Sequence, residues 1–105
     1  MLDGATKKDG PSAGISITTS LISLILNKTV NSDIALTGEI SLTGEILEVG
    51  GIKEKIIGAF NNDIKIIFIP KSNHKDIETI PDEIKSNLKI IEVDNYIEVY
   101  NNIFG

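Results

Sequence analysis

No cysteine occurs in this chain of 105 residues, so disulfides and thiolate metal sites are excluded. Histidine occurs once, at His74, which leaves a zinc site without its usual ligand set. Arginine is absent, and the ten basic residues, all lysine, are outnumbered by 15 acidic ones, for a formal net charge of −5 at pH 7. A nucleic-acid-binding domain normally presents a basic face, so that class of partner is disfavoured. No apolar run reaches the ~20 residues that a membrane span needs. Met1-Leu2-Asp3-Gly4 has neither the charged nor the apolar region of a signal peptide. These absences lead to the expectation of a soluble, intracellular protein. What is present, 41 % hydrophobic residues, is enough for one two-layer core.

Taken in order, residues 1–11 read as loop, more like the interior of a domain than its beginning. The spacing predicts a largely buried helix over 12–26, with Pro11 in its first turn and Ile17, Leu21, Leu24 and Ile25 on its apolar face. Asn27-Lys28 is its stop. Residues 33–49 change to strand periodicity and read as a hairpin, with a glycine-containing turn inside Thr37-Gly38-Glu39…Thr43-Gly44-Glu45. Although TGEISLTGEI looks like a repeat, it spans too few residues to be a solenoid unit. Gly50-Gly51 breaks the strand, and Ile52 to Asn61 reads as a helix with Ile52, Ile56, Ala59 and Phe60 on one face. Ile64 to Ile69 and Leu88 to Val93 suit buried parallel strands. Between them lie a polar stretch with a possible helical turn, Lys71 to Thr79, and a short helix opened by Pro81-Asp82-Glu83. Tyr96, Val99, Tyr100 and Ile103 mark a terminal helix. This order implies an α+β fold, a mixed β-sheet covered by helices.

Asp9-Gly10-Pro11-Ser12-Ala13-Gly14 is a small, punctuated turn that runs straight into the first apolar segment. A serine at a helix N-terminus has two uses. It caps the helix, or its hydroxyl becomes a nucleophile beside N–H groups able to hold an oxyanion. A Ser-His-Asp triad would need His74, whose polar surroundings read as solvated surface. Glu39 and Glu45 sit most simply on solvent, without the spacing of an acid/base pair. Gly4 to Ser12 is no phosphate loop, because Pro11 stands where that motif requires lysine. Lysine remains as a partner for Ser12, from Lys53 or Lys55, and helical periodicity does not choose between them. Either would need its pKa depressed by about 3 units, roughly 4 kcal/mol, to act as a base near neutrality. Burial is the means, while two solvated surface lysines is the plainer reading.

Together, Asp9-Gly10-Pro11-Ser12-Ala13-Gly14, Thr37-Gly38-Glu39-Ile40 and Gly50-Gly51-Ile52-Lys53-Glu54-Lys55 closely resemble the proteolytic domain of Lon, the ATP-dependent serine protease. Ile69-Pro70-Lys71-Ser72-Asn73-His74-Lys75-Asp76 and Ile80-Pro81 extend the resemblance over nearly the whole chain. It implies an α+β fold of the ribosomal protein S5 domain 2-like kind, with Ser12 as nucleophile and Lys55 as general base. It further implies that Thr37 supports the lysine by hydrogen bonding and that Asp9 is an accessory acidic position. Backbone N–H groups around Gly10 and Ala13 would form the oxyanion site. Leu2-Asp3, Thr43 and Glu48 depart from the family pattern outside the dyad and bear on substrate preference. The resemblance also implies that residues 1–105 are part of a proteolytic domain whose first strands, and an ATPase module binding ATP and Mg, lie upstream. No cofactor is expected in this segment. The implied partners are unfolded or damaged proteins and, in the full protease, a homohexamer; the implied setting is the cytoplasm or an organellar matrix. The alternative from another class is an inert Lon-like assembly or interaction module, from which the serine–lysine pair would be expected to be missing.

Overall fold

The computed structural model describes residues 12–105, and of Ser12 and Ala13 it describes the backbone. Its centre is a parallel sheet of three strands in the order β2 (Ile34–Leu36), β5 (Ile66–Pro70), β6 (Lys89–Val93). Ile34 lies opposite Ile66, and Ile66 opposite Lys89; two residues on, Leu36 lies opposite Phe68 and Phe68 opposite Ile91. Strand side chains alternate between faces, so this register sorts the apolar residues into two sets. Ala35, Ile67, Ile69 and Ile90 join one core cluster, while Ile34, Leu36, Ile66, Phe68, Ile91 and Val93 join the other.

The first cluster is closed by helix α2 (Ile52–Asn61), through Ile52, Ile56 and Ala59, and by Ile80, Ile84 and Leu88 around helix α4 (Asp82–Asn87). The second is closed by Ile15 of helix α1 (Ile15–Leu26), by Ile40 and Ile46, and by Val99 of helix α5 (Tyr96–Ile103). Ile40 and Ile46 come from a second, antiparallel sheet: β1 (Ser12–Gly14), β3 (Glu39–Ser41) and β4 (Ile46–Leu47). Helix and strand therefore combine as expected for an α+β chain, but the strands form two three-stranded sheets in place of one mixed sheet. The reason lies at Thr37-Gly38, where the chain leaves β2 and enters β3. The hairpin is confined to Glu39–Leu47, around Thr43-Gly44, and Ile34 and Leu36 belong to the parallel sheet.

Short elements follow the local chemistry. Asn27 ends α1 in a left-handed conformation with φ 55°, its N–H donating to the Leu24 carbonyl. The polar stretch after β5 forms a 3₁₀ turn, Lys71–Asn73, and one turn of helix, α3 (His74–Ile77). Helix α5 opens with a capping box: Asn95 Oδ1 accepts from Ile97 N, and Glu98 Oε1 accepts from Asp94 N at 2.8 Å and Asn95 N at 3.1 Å.

Helix α1 departs from expectation in two ways. It starts at Ile15, because residues 12–14 pair with β3 in register Ser12↔Ser41, Ala13↔Ile40, Gly14↔Glu39. Its buried residues are Ile15 and Thr19, whereas Ile17, Leu21, Leu24 and Ile25 are exposed, the last two by 77 % and 80 %. Periodicity marks which side of a helix is apolar; whether that side is covered depends on a neighbour, and no described element covers it.

Two predictions follow from this packing. Ile56→Ala should cost roughly 2–5 kcal/mol, whereas Leu24→Gln and Ile25→Gln should each shift stability by less than about 0.5 kcal/mol, measured by denaturant unfolding. The backbone N–H of Asp94, opposed by partial burial and joined by that of Asn95, holds the Glu98 carboxyl below its ordinary value of 4.5. The unfolded chain thus binds this proton more readily, and the stabilisation, present above pH 4.5, disappears as pH falls through the lowered pKa. The stability gap between wild type and Glu98→Gln is expected at pH 7 and should close in acid.

Candidate active site

The junction Thr37-Gly38 brings two of the three sequence motifs together. Thr37 N and Thr37 Oγ1 both donate to the Phe68 carbonyl of β5, at 3.1 and 2.9 Å. One residue on, the Gly38 carbonyl accepts from Ile15 N at 3.0 Å, tying the junction to the start of α1. Gly38 has φ 120°, and a Cβ there would meet Ile15 Cδ1 at 3.0 Å and Pro70 Cγ at 3.1 Å. Both conformation and space therefore demand glycine. Directly beyond it, Glu39 pairs with Gly14, so the strand carrying Ser12 is held in register by the residues that follow Thr37.

Ser12 thus stands in β1, opposite Ser41, three residues before the helix. The expectation that it occupies a helix N-terminus is corrected: the N-cap is Gly14, with extended φ −69° and ψ 145°. Strand pairing with β3 took the residues that pattern reading assigned to the first turn. Ala13 lies opposite Ile40 in the same strand. Asp9 and Gly10 lie outside the described residues.

The third motif builds the entry to α2. Gly51 caps the helix in a left-handed conformation, φ 73°, and its carbonyl accepts from Lys55 N at 3.1 Å. Ile52 and Ile56 anchor the helix in the core. Lys53 and Lys55 are both exposed. Thr37, continuing the alternation of β2 in phase with Ala35, falls on the side of the parallel sheet that α2 covers. The hydrogen bond that its hydroxyl makes is to Phe68 O, which uses the hydroxyl proton and leaves its oxygen as an acceptor.

A further side chain, one that pattern reading places in a polar stretch, is Asn73. It is buried, 3 % exposed, and its amide grips the backbone of Val49, just before Gly50-Gly51. Oδ1 accepts from Val49 N at 3.1 Å; Nδ2 donates to Val49 O at 2.8 Å and to Asp76 Oδ2 at 3.0 Å. Its sequence signals are its place three residues after the strand-ending Pro70 and its inclusion in the segment Ile69 to Asp76 that extends the family resemblance. His74 is exposed, as expected, and its Nδ1 lies 2.8 Å from Glu92 Oε2.

The whole chain, residues 1–105, matches the family model described as Lon protease (S16) C-terminal proteolytic domain. Among curated relatives, it is 52 % identical over 102 residues to a Lon protease of Mesomycoplasma hyopneumoniae, covering 97 % of this chain and 12 % of that protein. It is 50 % identical over 102 residues to a Lon protease of Fusobacterium nucleatum, covering 97 % of this chain and 13 % of the relative. It is also 48 % identical over 103 residues to a mitochondrial Lon protease homolog of Phaeodactylum tricornutum, covering 98 % and 12 %. The chain therefore spans about an eighth of the length of these relatives.

At the junction, Thr37→Val should cost about 1 kcal/mol, because the backbone N–H still serves the Phe68 carbonyl. Gly38→Ala should cost more, on the order of 2 kcal/mol or above, since strain at positive φ adds to overpacking. Denaturant midpoints of the two variants check this order.

Proposed function

This chain belongs to the Lon protease (S16) C-terminal proteolytic domain family, and from that premise we propose that it supplies the peptidase site of an ATP-dependent serine endopeptidase working through a Ser12–Lys55 dyad. The observation that carries the proposal is that both residues stand in their motifs within a match spanning the whole chain. The geometry lends support: the strand bearing Ser12 is registered by the Thr37-Gly38 junction, and Thr37 falls on the side of the sheet covered by the helix bearing Lys55.

The chemistry is acyl transfer. Neutral Lys55 takes the Ser12 proton as Oγ attacks the peptide carbonyl, and backbone N–H groups around Gly10 and Ala13 hold the oxyanion. The lysine returns the proton to the leaving amine. Water, activated by the same lysine, then attacks the acyl-enzyme and restores Ser12. Because its hydroxyl proton is spent on Phe68 O, Thr37 would act toward Lys55 as an acceptor, orienting an amine N–H and leaving the nitrogen lone pair for Ser12. Asp9 is at most an accessory to this pair. A lysine base needs a dry surround, so the desolvation of exposed Lys55 is assigned to bound substrate or to the assembled protease. The substrates proposed are unfolded or damaged proteins. ATP and Mg use, and assembly as a hexamer, are assigned to the full-length protease, which acts in the cytoplasm or an organellar matrix.

The test compares wild type, Ser12→Ala, Lys55→Ala and Lys53→Ala in the full-length protease on an unfolded fluorogenic substrate. Ser12→Ala and Lys55→Ala should each lower kcat at least about 10³-fold, as for a unit nucleophile and base, with Lys53→Ala within a few-fold of wild type. Equal turnover in all four would reject the dyad.

A further inference from the structure

We propose that Asn73 is the positioning residue for Lys55, acting through the backbone of Val49; this rests on the dyad reading above. Helix α2 is held on the core by Ile52, Ile56 and Ala59. Apolar contacts are non-directional, so they set how deep the helix sits better than where its first turn lies along the axis. The residues leading in offer little more. Among the described residues, a Cβ at Gly50 would touch nothing within 4 Å, and one at Gly51 would meet only Glu54 Oε1, at 3.9 Å.

Directional restraint comes from Asn73. Its amide mimics a strand partner, meeting both polar groups of the Val49 backbone, and its remaining N–H goes to Asp76. With Oδ1 and both amide protons engaged and the residue buried, its rotamer is locked. A short path then runs from Val49 through Gly50 to Gly51, whose carbonyl receives Lys55 N at 3.1 Å. Because neither glycine is restrained by its surroundings, the pinned Val49 is the last fixed backbone point before the turn that aims Lys55, and releasing it frees that turn. Asn73 itself follows directly from β5, whose Phe68 carbonyl holds Thr37, so one strand references both the lysine's helix and the threonine.

The experiment uses the full-length protease as wild type, Asn73→Ala and Asn73→Asp, with Ser12→Ala and Lys55→Ala as references. Competent sites are counted by fluorophosphonate labelling of Ser12 run to completion. Then kcat per labelled site and KM are measured on an unfolded protein substrate. Asn73→Ala should retain the labelled fraction but lose roughly 10- to 100-fold in kcat per site, with KM changed by less than about twofold. Asn73→Asp keeps the acceptor for Val49 N but lacks the donor for Val49 O, and should fall between. A reduced labelled fraction with wild-type kcat per site would overturn the proposal, because a purely structural role predicts it; so would wild-type kinetics in both variants. If Asn73→Ala does not fold, Asn73→Asp decides on the same criteria. An active Lys55→Ala would overturn the dyad, and this inference with it.

Discussion

Strand β5 is the constraint on which the site depends. Both of its edges are paired, and its alternate side chains feed both core clusters. Its Phe68 carbonyl receives two donors from Thr37, its Pro70 closes against Gly38, and it leads into Asn73. A strand buried on both faces is among the last parts of a domain to open. Groups referenced to it inherit that rigidity, which suits a mechanism where small displacements of a base are costly.

Around this strand the structure is unevenly closed. The sheet is covered on both faces, yet α1 presents Ile17, Leu21, Leu24 and Ile25 outward. A contiguous apolar helix face gives no stabilisation until water is removed from it. What holds α1 is buried Ile15 at its first turn, the bond from Ile15 N to Gly38, and the 2.7 Å hydrogen bond between buried Thr19 and the Tyr96 hydroxyl. Burial pushes the Tyr96 hydroxyl pKa up, with its bond to Thr19 opposing. The helix after the proposed nucleophile is thus fixed at a few points instead of by its apolar stripe. The exposure of Lys55 belongs to the same picture, since its proposed chemistry requires a dry surround.

Some of this was legible in the chain. The runs Ile64 to Ile69 and Leu88 to Val93 read correctly as parallel strands; the first is largely buried, whereas in β6 only Val93 is, because β6 lies at the edge of the sheet. The Ile52/Ile56/Ala59 face and the opening of α4 after Pro81 also read correctly. The sequence pattern overextends the hairpin and places Ser12 at a helix terminus for one reason. Local pattern does not say that Ile34–Leu36 pairs with a strand 32 residues away, or that Ser12–Gly14 pairs with Glu39–Ser41. The role of Asn73 is not legible locally, because it lies in bonds to Val49, 24 residues distant.

The apolar periodicities, the turn-forming glycines and the three motifs that carry the family resemblance are legible in the chain, because each depends on residues close together in it. The division of the strands into two sheets, with Ser12 in one of them, emerges only on folding. So do the outward turn of the apolar side of α1 and the hold of a buried amide on the entry to the lysine's helix. Those outcomes are pairings between distant segments, settled by which buried surfaces and backbone hydrogen bonds can be satisfied at once.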